Sequence, residues 1–237
     1  MEKVSIRLIS VNGALRKLNL KRLYSWKTEL FSVFPVTDDD IVSFHEQYDY
    51  GQVYSVSILN RCLKCSEFDG LTVFISYEPL EDNQFSVLLE NNRVVFSLYE
   101  IQDILRDAEI PLENHIISLL YTYSLMLLAY DDRRIPIDAE QLLAHHSLRK
   151  CLFDFRYNKS DIKYTSVQPK LCESCFENLK ANGVPVDILY SVREELKGLQ
   201  KDPYYKLTGF FKKHPVLSII LTTLVSFLLN VLCNIIC

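Results

Sequence analysis

The chain has 237 residues, 49% hydrophobic and 24% charged, with a formal net charge of −4. That is enough for one sizeable core and too apolar for a disordered polymer. All 30 acidic residues precede Lys206, while Lys206, Lys212 and Lys213 are three of the 26 basic residues. The body is therefore acidic with no basic stripe, which argues against nucleic acid as its main ligand.

MEKVSIRLISV has no positively charged start followed by a long apolar stretch and a small-residue cleavage site. The expectation is a reducing compartment, in which the seven cysteines form no structural disulfides.

Val4 to Val11 alternates apolar and polar residues, the period of a strand with one buried face, and Asn12-Gly13 makes a turn. Leu15 to Phe31 carries Leu15, Leu18, Leu23, Trp26 and Leu30 at helical spacing, which predicts an amphipathic helix with a solvated basic face. Ser32 to Val36 predicts a short second strand. Asp38-Asp39-Asp40 reads as a helix N-terminus rather than a cation site. Gln47 to Cys65 predicts a helix with Tyr54, Ile58 and Leu59 inward. Leu71 to Tyr77 (LTVFISY) is the best strand, apolar enough to be covered on both faces. Phe85 to Leu89 and Arg93 to Leu98 form a strand pair around Glu90-Asn91-Asn92. Leu112 to Tyr130 is a helix apolar on nearly every side and therefore buried. Its run from Ile116 falls short of the ~20 residues a membrane span requires. Asp138 to His146 predicts a short helix, and Cys151 to Ile162 an irregular segment. A helical hairpin, Phe176–Ala181 and Val186–Gln200, breaks at Asn182-Gly183.

From Val216 to Cys237 there is no charge and no glycine, and Lys206, Lys212, Lys213 and His214 stand just before. This is the pattern of a single membrane helix with a basic cytoplasmic flank. The expected architecture is an α+β domain, with four or five strands in a mixed sheet over a buried central helix, plus one C-terminal transmembrane helix. The globular domain covers 1–205, with a cysteine-bearing cap at 151–180 and a terminal helix at 186–200. A basic juxtamembrane linker at 206–214 leads to a tail anchor at 215–237. That places the chain on the inner membrane as a single-pass protein with its body in the cytoplasm, and makes the lipid bilayer its first partner. Ser218, Thr222, Ser226 and Asn230, spaced by four, put hydroxyls and amides on one face suited to self-association or a protein partner.

Cys151, Cys172 and Cys175 are the sharpest chemical pattern. A C-x2-C pair lets two thiolates reach one ion from a tight turn, and Cys151 lies within loop reach. One structural zinc needs a fourth donor, for which His145, His146, Cys62 and Cys65 are the candidates.

The run CLFDFRYNKSDI followed by LCESCFENL resembles the C-terminal element of archaemetzincin-like proteins, metzincin-related zinc peptidases. There, C-x4-C and C-x2-C pairs bind a structural zinc and an Asp follows the first pair. The order of VSIRLISV, QYDYGQVYSVSIL, LTVFISYEPL, RVVFSL and a long central helix is similar as well. The resemblance implies a metzincin-like fold, yet this chain departs from the family's motifs. Its central helix reads His115-Ile116-Ile117-Ser118-Leu119 where zinc catalysis requires HExxH, and Arg156 stands where the second cysteine of the first pair belongs. No catalytic residue is assigned. His115 is expected to be a hydrogen-bonded core or helix-start residue, and Asp154 with Arg156 a surface or local ion pair. The implied function is that of a membrane-anchored, non-catalytic sensor or effector, of the kind found in bacterial anti-phage defence. The alternative is a membrane-bound zinc hydrolase using His115, His145 and His146.

Overall fold

Strand β1 (Val4–Val11) sends Val4, Ile6 and Leu8 to one face of a sheet and Ile9 and Val11 to the other, as a two-residue period requires. A computed structural model describes residues 2–37, 40–43, 53–137, 139, 143–156, 158–201 and 203–236, without the side chains of residues 203–206, 218 and 228–236. Around β1 stand β2 (Phe31–Val33), β3 (Ile41–Val42), β4 (Leu71–Ser76), β5 (Ser86–Leu89) and β6 (Arg93–Ser97). The order is β2-β1-β4-β6-β5, with β3 also pairing β1. All pairs are parallel except β5 with β6, which form the hairpin expected around Asn91-Asn92. Both asparagines adopt positive φ, the backbone that a two-residue hairpin turn demands.

The sheet is mixed and the domain α+β, as expected, with six strands among the described residues instead of four or five. Strand β4 is buried at every position. Val73 and Ile75 enter the larger core, and Phe74 enters a smaller one with Tyr54, Ile58, Leu59 and Leu63. Helix α2 (Val56–Cys62) covers that second face. Its expected extension upstream to Gln47 falls largely outside the described residues.

The helix expected over Leu15 to Phe31 is a correction. The segment contains a 3-10 turn, Ala14–Lys17, then α1 (Leu20–Tyr24), and it is already strand at Phe31. Asn19 breaks it. Its side chain accepts the Arg22 N–H at 3.3 Å while its own N–H is donated to the Glu113 carboxylate at 2.7 Å. Helix α3 (Ile101–Asp107), absent from the sequence reading, closes a third small core with Ile110 and Ile162.

Helix α4 (Leu112–Leu128) lies buried against the larger core. Several of its buried polar groups reach other segments. Asn114 accepts from Arg22 Nη2 at 2.8 Å and donates to the Gln200 carbonyl at 3.0 Å. Ser118 donates to the Thr165 carbonyl at 2.7 Å. The Tyr121 hydroxyl accepts from Trp26 Nε1 at 2.9 Å and donates to Glu195 at 2.6 Å, and burial together with that carboxylate pushes its pKa up. After α5 (Ile162–Thr165), the expected hairpin follows as α6 (Glu173–Ala181) and α7 (Val186–Glu195), with Gly183 at φ 86 between them.

Residues 1–200 form one compact unit and 201–237 a second, so the division falls at Gln200 rather than at 205. In the second unit, most of the expected linker at 206–214 is helical. It belongs to α8 (Pro203–Lys213), which α9 (Pro215–Ile236) follows. Among the described residues no single helix is long and apolar enough to cross a membrane. The pair Leu207–Lys213 and Pro215–Phe227, bent by 110°, passes by length and composition together. Asp38 and Asp39 lie outside the described residues. The Asp40 carboxylate is taken up by Arg7 and Thr37, and despite burial those bonds hold its pKa below the usual carboxylate range.

Gly70 precedes β4 at φ +139, and a Cβ there would stand 2.2 Å from the Ser5 carbonyl oxygen. Gly70→Ala is therefore expected to cost about 2 kcal/mol or more, because backbone in β1 must shift to admit the methyl. Chemical denaturation of the full chain measures it, and a loss within about 0.5 kcal/mol of zero, as for an ordinary surface change, contradicts the close approach.

Candidate metal centre

Two extended crossings and one helix start bring four donors together. Leu152 N–H donates to the Lys170 carbonyl at 2.9 Å and Lys170 N–H to the Lys150 carbonyl at 2.7 Å, which lays Cys151 beside the approach to Cys172. The turn at Lys150 adopts φ 63. Cys172 caps α6 and Cys175 sits in its first turn, where the positive end of the helix favours thiolate. The short helix expected through His146 does not reach His145. That residue lies on an extended bridge, donating to the Phe153 carbonyl at 3.1 Å and accepting from Phe155 N–H at 2.9 Å.

The ligand atoms of His145, Cys151, Cys172 and Cys175 all lie within 4.8 Å of one another, and this cluster could hold a metal ion. Cys151 Sγ and Cys175 Sγ are 3.8 Å apart, and Cys172 Sγ is 3.4 Å from His145 Nε2. At metal–sulfur bonds of about 2.3 Å and metal–nitrogen bonds of about 2.05 Å, a tetrahedral ion separates two sulfurs by about 3.8 Å and a sulfur from a nitrogen by about 3.5 Å. The donors stand close to that spacing.

Asp154 fixes the histidine. Its Oδ2 accepts from the backbone N–H of Arg149 at 2.9 Å and of Cys151 at 3.0 Å, and its Oδ1 lies 3.2 Å from His145 Nδ1. The Ser147 carbonyl is 3.3 Å from the same nitrogen. Two oxygens facing Nδ1 keep the proton there and turn the Nε2 lone pair to the sulfurs, the outer-shell arrangement common to metal-bound histidine.

The electrostatics suit a cation. A bond from Cys175, with help from backbone N–H groups and His145, pulls the Cys151 thiol down against the effect of burial, and Cys175 is pushed up in return. Burial alone would lower the His145 pKa, but the Cys151 and Cys172 sulfurs raise it above the ordinary value. Without metal, protons are thus shared among these groups, and a bound ion takes their place.

Among the four candidates for the fourth donor, His145 is the one in the cluster. Cys62 and Cys65 pack against the smaller core behind the sheet, and His146 stacks on Phe155 with ring centroids 5.8 Å apart. Arg156 contributes no donor, and His145 supplies the fourth donor atom of the cluster. Asp154 is a correction. It is buried and engaged with the cluster, while Arg156 Nη2 donates at 3.2 Å to the Leu152 carbonyl. The signal for Asp154 was its place three residues after Cys151; nothing in the sequence tied it to His145.

His115 is buried in the core beside the Phe85 ring at 5.7 Å, with neither ring nitrogen hydrogen-bonded, contrary to the expected bonded histidine. Burial, then the Arg156 charge, lowers its pKa to about 3. It therefore belongs to a different place from His145 and His146, and the three do not form a ligand set.

Comparison with protein-family models, curated proteins and solved structures finds no match to this chain. The site's chemistry therefore rests on its own geometry.

On the second unit, Thr222 Oγ1 donates to the Ile219 carbonyl at 3.0 Å and Ser226 Oγ to the Thr222 carbonyl at 2.9 Å. Both hydroxyl protons are used within the helix. The side chains of Ser218 and Asn230 lie outside the described residues.

Asp154→Asn keeps all four donors and removes the charge that orients His145. Its metal affinity is expected to fall about 10- to 100-fold. Competition with a chromogenic chelator measures it, and unchanged affinity removes Asp154 from the site.

Proposed function

We propose that this chain is a membrane-anchored binding protein with a zinc-stapled body and no peptidase chemistry, acting as a sensor or effector. The observation that carries it is the exposed apolar surface of the helix pair that makes up the second unit. Val216, Ile219 and Phe227 are 70%, 66% and 65% exposed, and no charge interrupts the sequence from Val216 to Cys237. An uncovered apolar surface of that extent calls for lipid or a partner. By length and composition the helix pair passes together as a bent span, to which the 22 residues of α9 contribute about 33 Å at about 1.5 Å per residue. The bend at His214 suits α8 to the interface, with Lys212 and Lys213 among anionic headgroups and Leu207 and Phe210 toward the acyl chains. The body then faces the cytoplasm. The Thr222 and Ser226 face serves self-association, through which an effector, in anti-phage defence for example, would act on the membrane.

Zinc is the ion this donor set favours, since three thiolates and an imidazole in tetrahedral array suit it above harder cations. Four protein donors leave no open coordination position, so the ion's part is to hold the cap to the body. In support of the archaemetzincin likeness stand the order of elements up to the long buried helix and the cysteine element. In place of that family's catalytic motif, Leu119 stands one turn after His115 with a side chain that cannot ligate a metal.

The full chain is expected to sediment with membranes and resist alkaline carbonate, while a chain ending at Gln200 stays in the supernatant. Release of the full chain by carbonate would overturn the anchor. Purified full-length protein is expected to carry about one zinc per chain and Cys175→Ala much less, by elemental analysis, and equal content in the two would remove the zinc staple. Replacing Thr222, Ser226 and Asn230 together by leucine is expected to reduce the oligomer in detergent, by light scattering. An unchanged mass would place self-association elsewhere.

A further inference from the structure

We propose that the cleft between β5, α4 and the Leu152–Arg156 segment binds a small organic acid, an apolar body ending in a carboxylate, with Arg156 as the group that recognises it. The inference deepens the binding-protein reading above and rests on it for its biological sense, though not for its geometry.

The cleft has a volume of about 410 Å³, within the range of small-molecule sites. Phe85, Leu119, Met126 and Phe153 give it apolar walls, and Thr122 adds a hydroxyl. The guanidinium of Arg156 lines the same space. Its Nε and Nη1 are buried without a hydrogen-bond partner among the described residues, while Nη2 is held by the Leu152 carbonyl at 3.2 Å. The Phe85 ring lies 4.8 Å from the guanidinium carbon and fixes its plane. Burial lowers its pKa to about 10, so it stays charged at neutral pH.

Asp154 and Asp161 favour this cation through their charge, but among the described residues no carboxylate bonds to its guanidinium. Asp154, the carboxylate closest in sequence, accepts two backbone N–H groups through Oδ2, while its Oδ1 lies 3.2 Å from His145 Nδ1 without a hydrogen bond. The other cation of the cleft, Lys159, has its own partner, 3.4 Å from the Glu100 carboxylate. His115, across the Phe85 ring, is neutral and adds no charge. A buried charge with unanswered donors is costly, and such groups in native proteins are commonly met by an ion, a water or a ligand. The planar, always-charged guanidinium favours a carboxylate, and the apolar walls favour a hydrocarbon or aromatic body over a bare anion.

Isothermal titration of the zinc-loaded full chain in nonionic detergent with 4-phenylbutyrate tests this, beside its neutral primary amide and inorganic phosphate. The acid is expected to bind with Kd of about 0.1–1 mM, given its size. The amide, phosphate and the Arg156→Met variant are each expected to be at least tenfold weaker. Thr122→Phe, which fills the cleft and keeps Arg156, is expected to abolish binding, and zinc content reports whether each variant is folded. No binding of the acid, equal binding of the amide, or full binding by folded Arg156→Met overturns the proposal. Phosphate binding as tightly as the acid overturns the assigned ligand class. A chain that binds the acid but is released by carbonate keeps the cleft and loses the anchor. A carbonate-resistant chain that binds nothing loses only the cleft.

Discussion

Helix α4 is the constraint on which the rest of the body depends. A helix buried on nearly every side can carry polar residues only if each finds a partner, since an unpaired buried group costs about 1–3 kcal/mol. Glu113, Asn114, Ser118 and Tyr121 meet that demand by bonding to segments from both ends of residues 1–200: Asn19, Arg22, Trp26, Thr165, Glu195 and Gln200. The helix thereby pins the α1 region and the end of the cap to one element. Its apolar residues meanwhile pack with Val73, Ile75, Val94 and Phe96 of the sheet. The exceptions are the His115 ring and the Ser124 hydroxyl, which have no bonded partner among the described residues, and His115 takes the neutral form that its surroundings tolerate.

The metal centre works over a shorter range and in a region with less regular structure. Between Ala144 and Lys170 the chain has few ladder bonds, so crossings at His145 and Cys151 and the Asp154 carboxylate must hold it. Four donors from three separated stretches then converge at the start of α6. An ion bound by this cluster would join those stretches, because binding free energy becomes folding free energy.

The cleft joins the two. Its floor is α4, through Leu119, Thr122, Tyr123 and Met126, and its wall is the segment from Cys151 to Arg156, which carries one of the four donors of the cluster. Anything that repositions that segment alters both the donor cluster and the guanidinium in the cleft.

Much of the body was legible in the residues themselves. Period-two alternation in Val4–Val11, the uninterrupted run Leu71–Ser76 and the polar turn at Asn91-Asn92 are local signals, and they appear as β1, β4 and the β5–β6 hairpin. The buried helix Leu112–Leu128 and the C-x2-C pair were equally plain. The break at Asn19 was not, because Glu113, ninety-four residues away, accepts the N–H that ends the helix. Nor was the choice of His145 over His146, Cys62 and Cys65, or the separation of Asp154 from Arg156, since spacing along a chain says which donors can meet and not which do. Sequence by itself determined the elements and the chemistry on offer. Tertiary structure alone decided which of those groups face one another, because that depends on contacts between residues far apart in the chain.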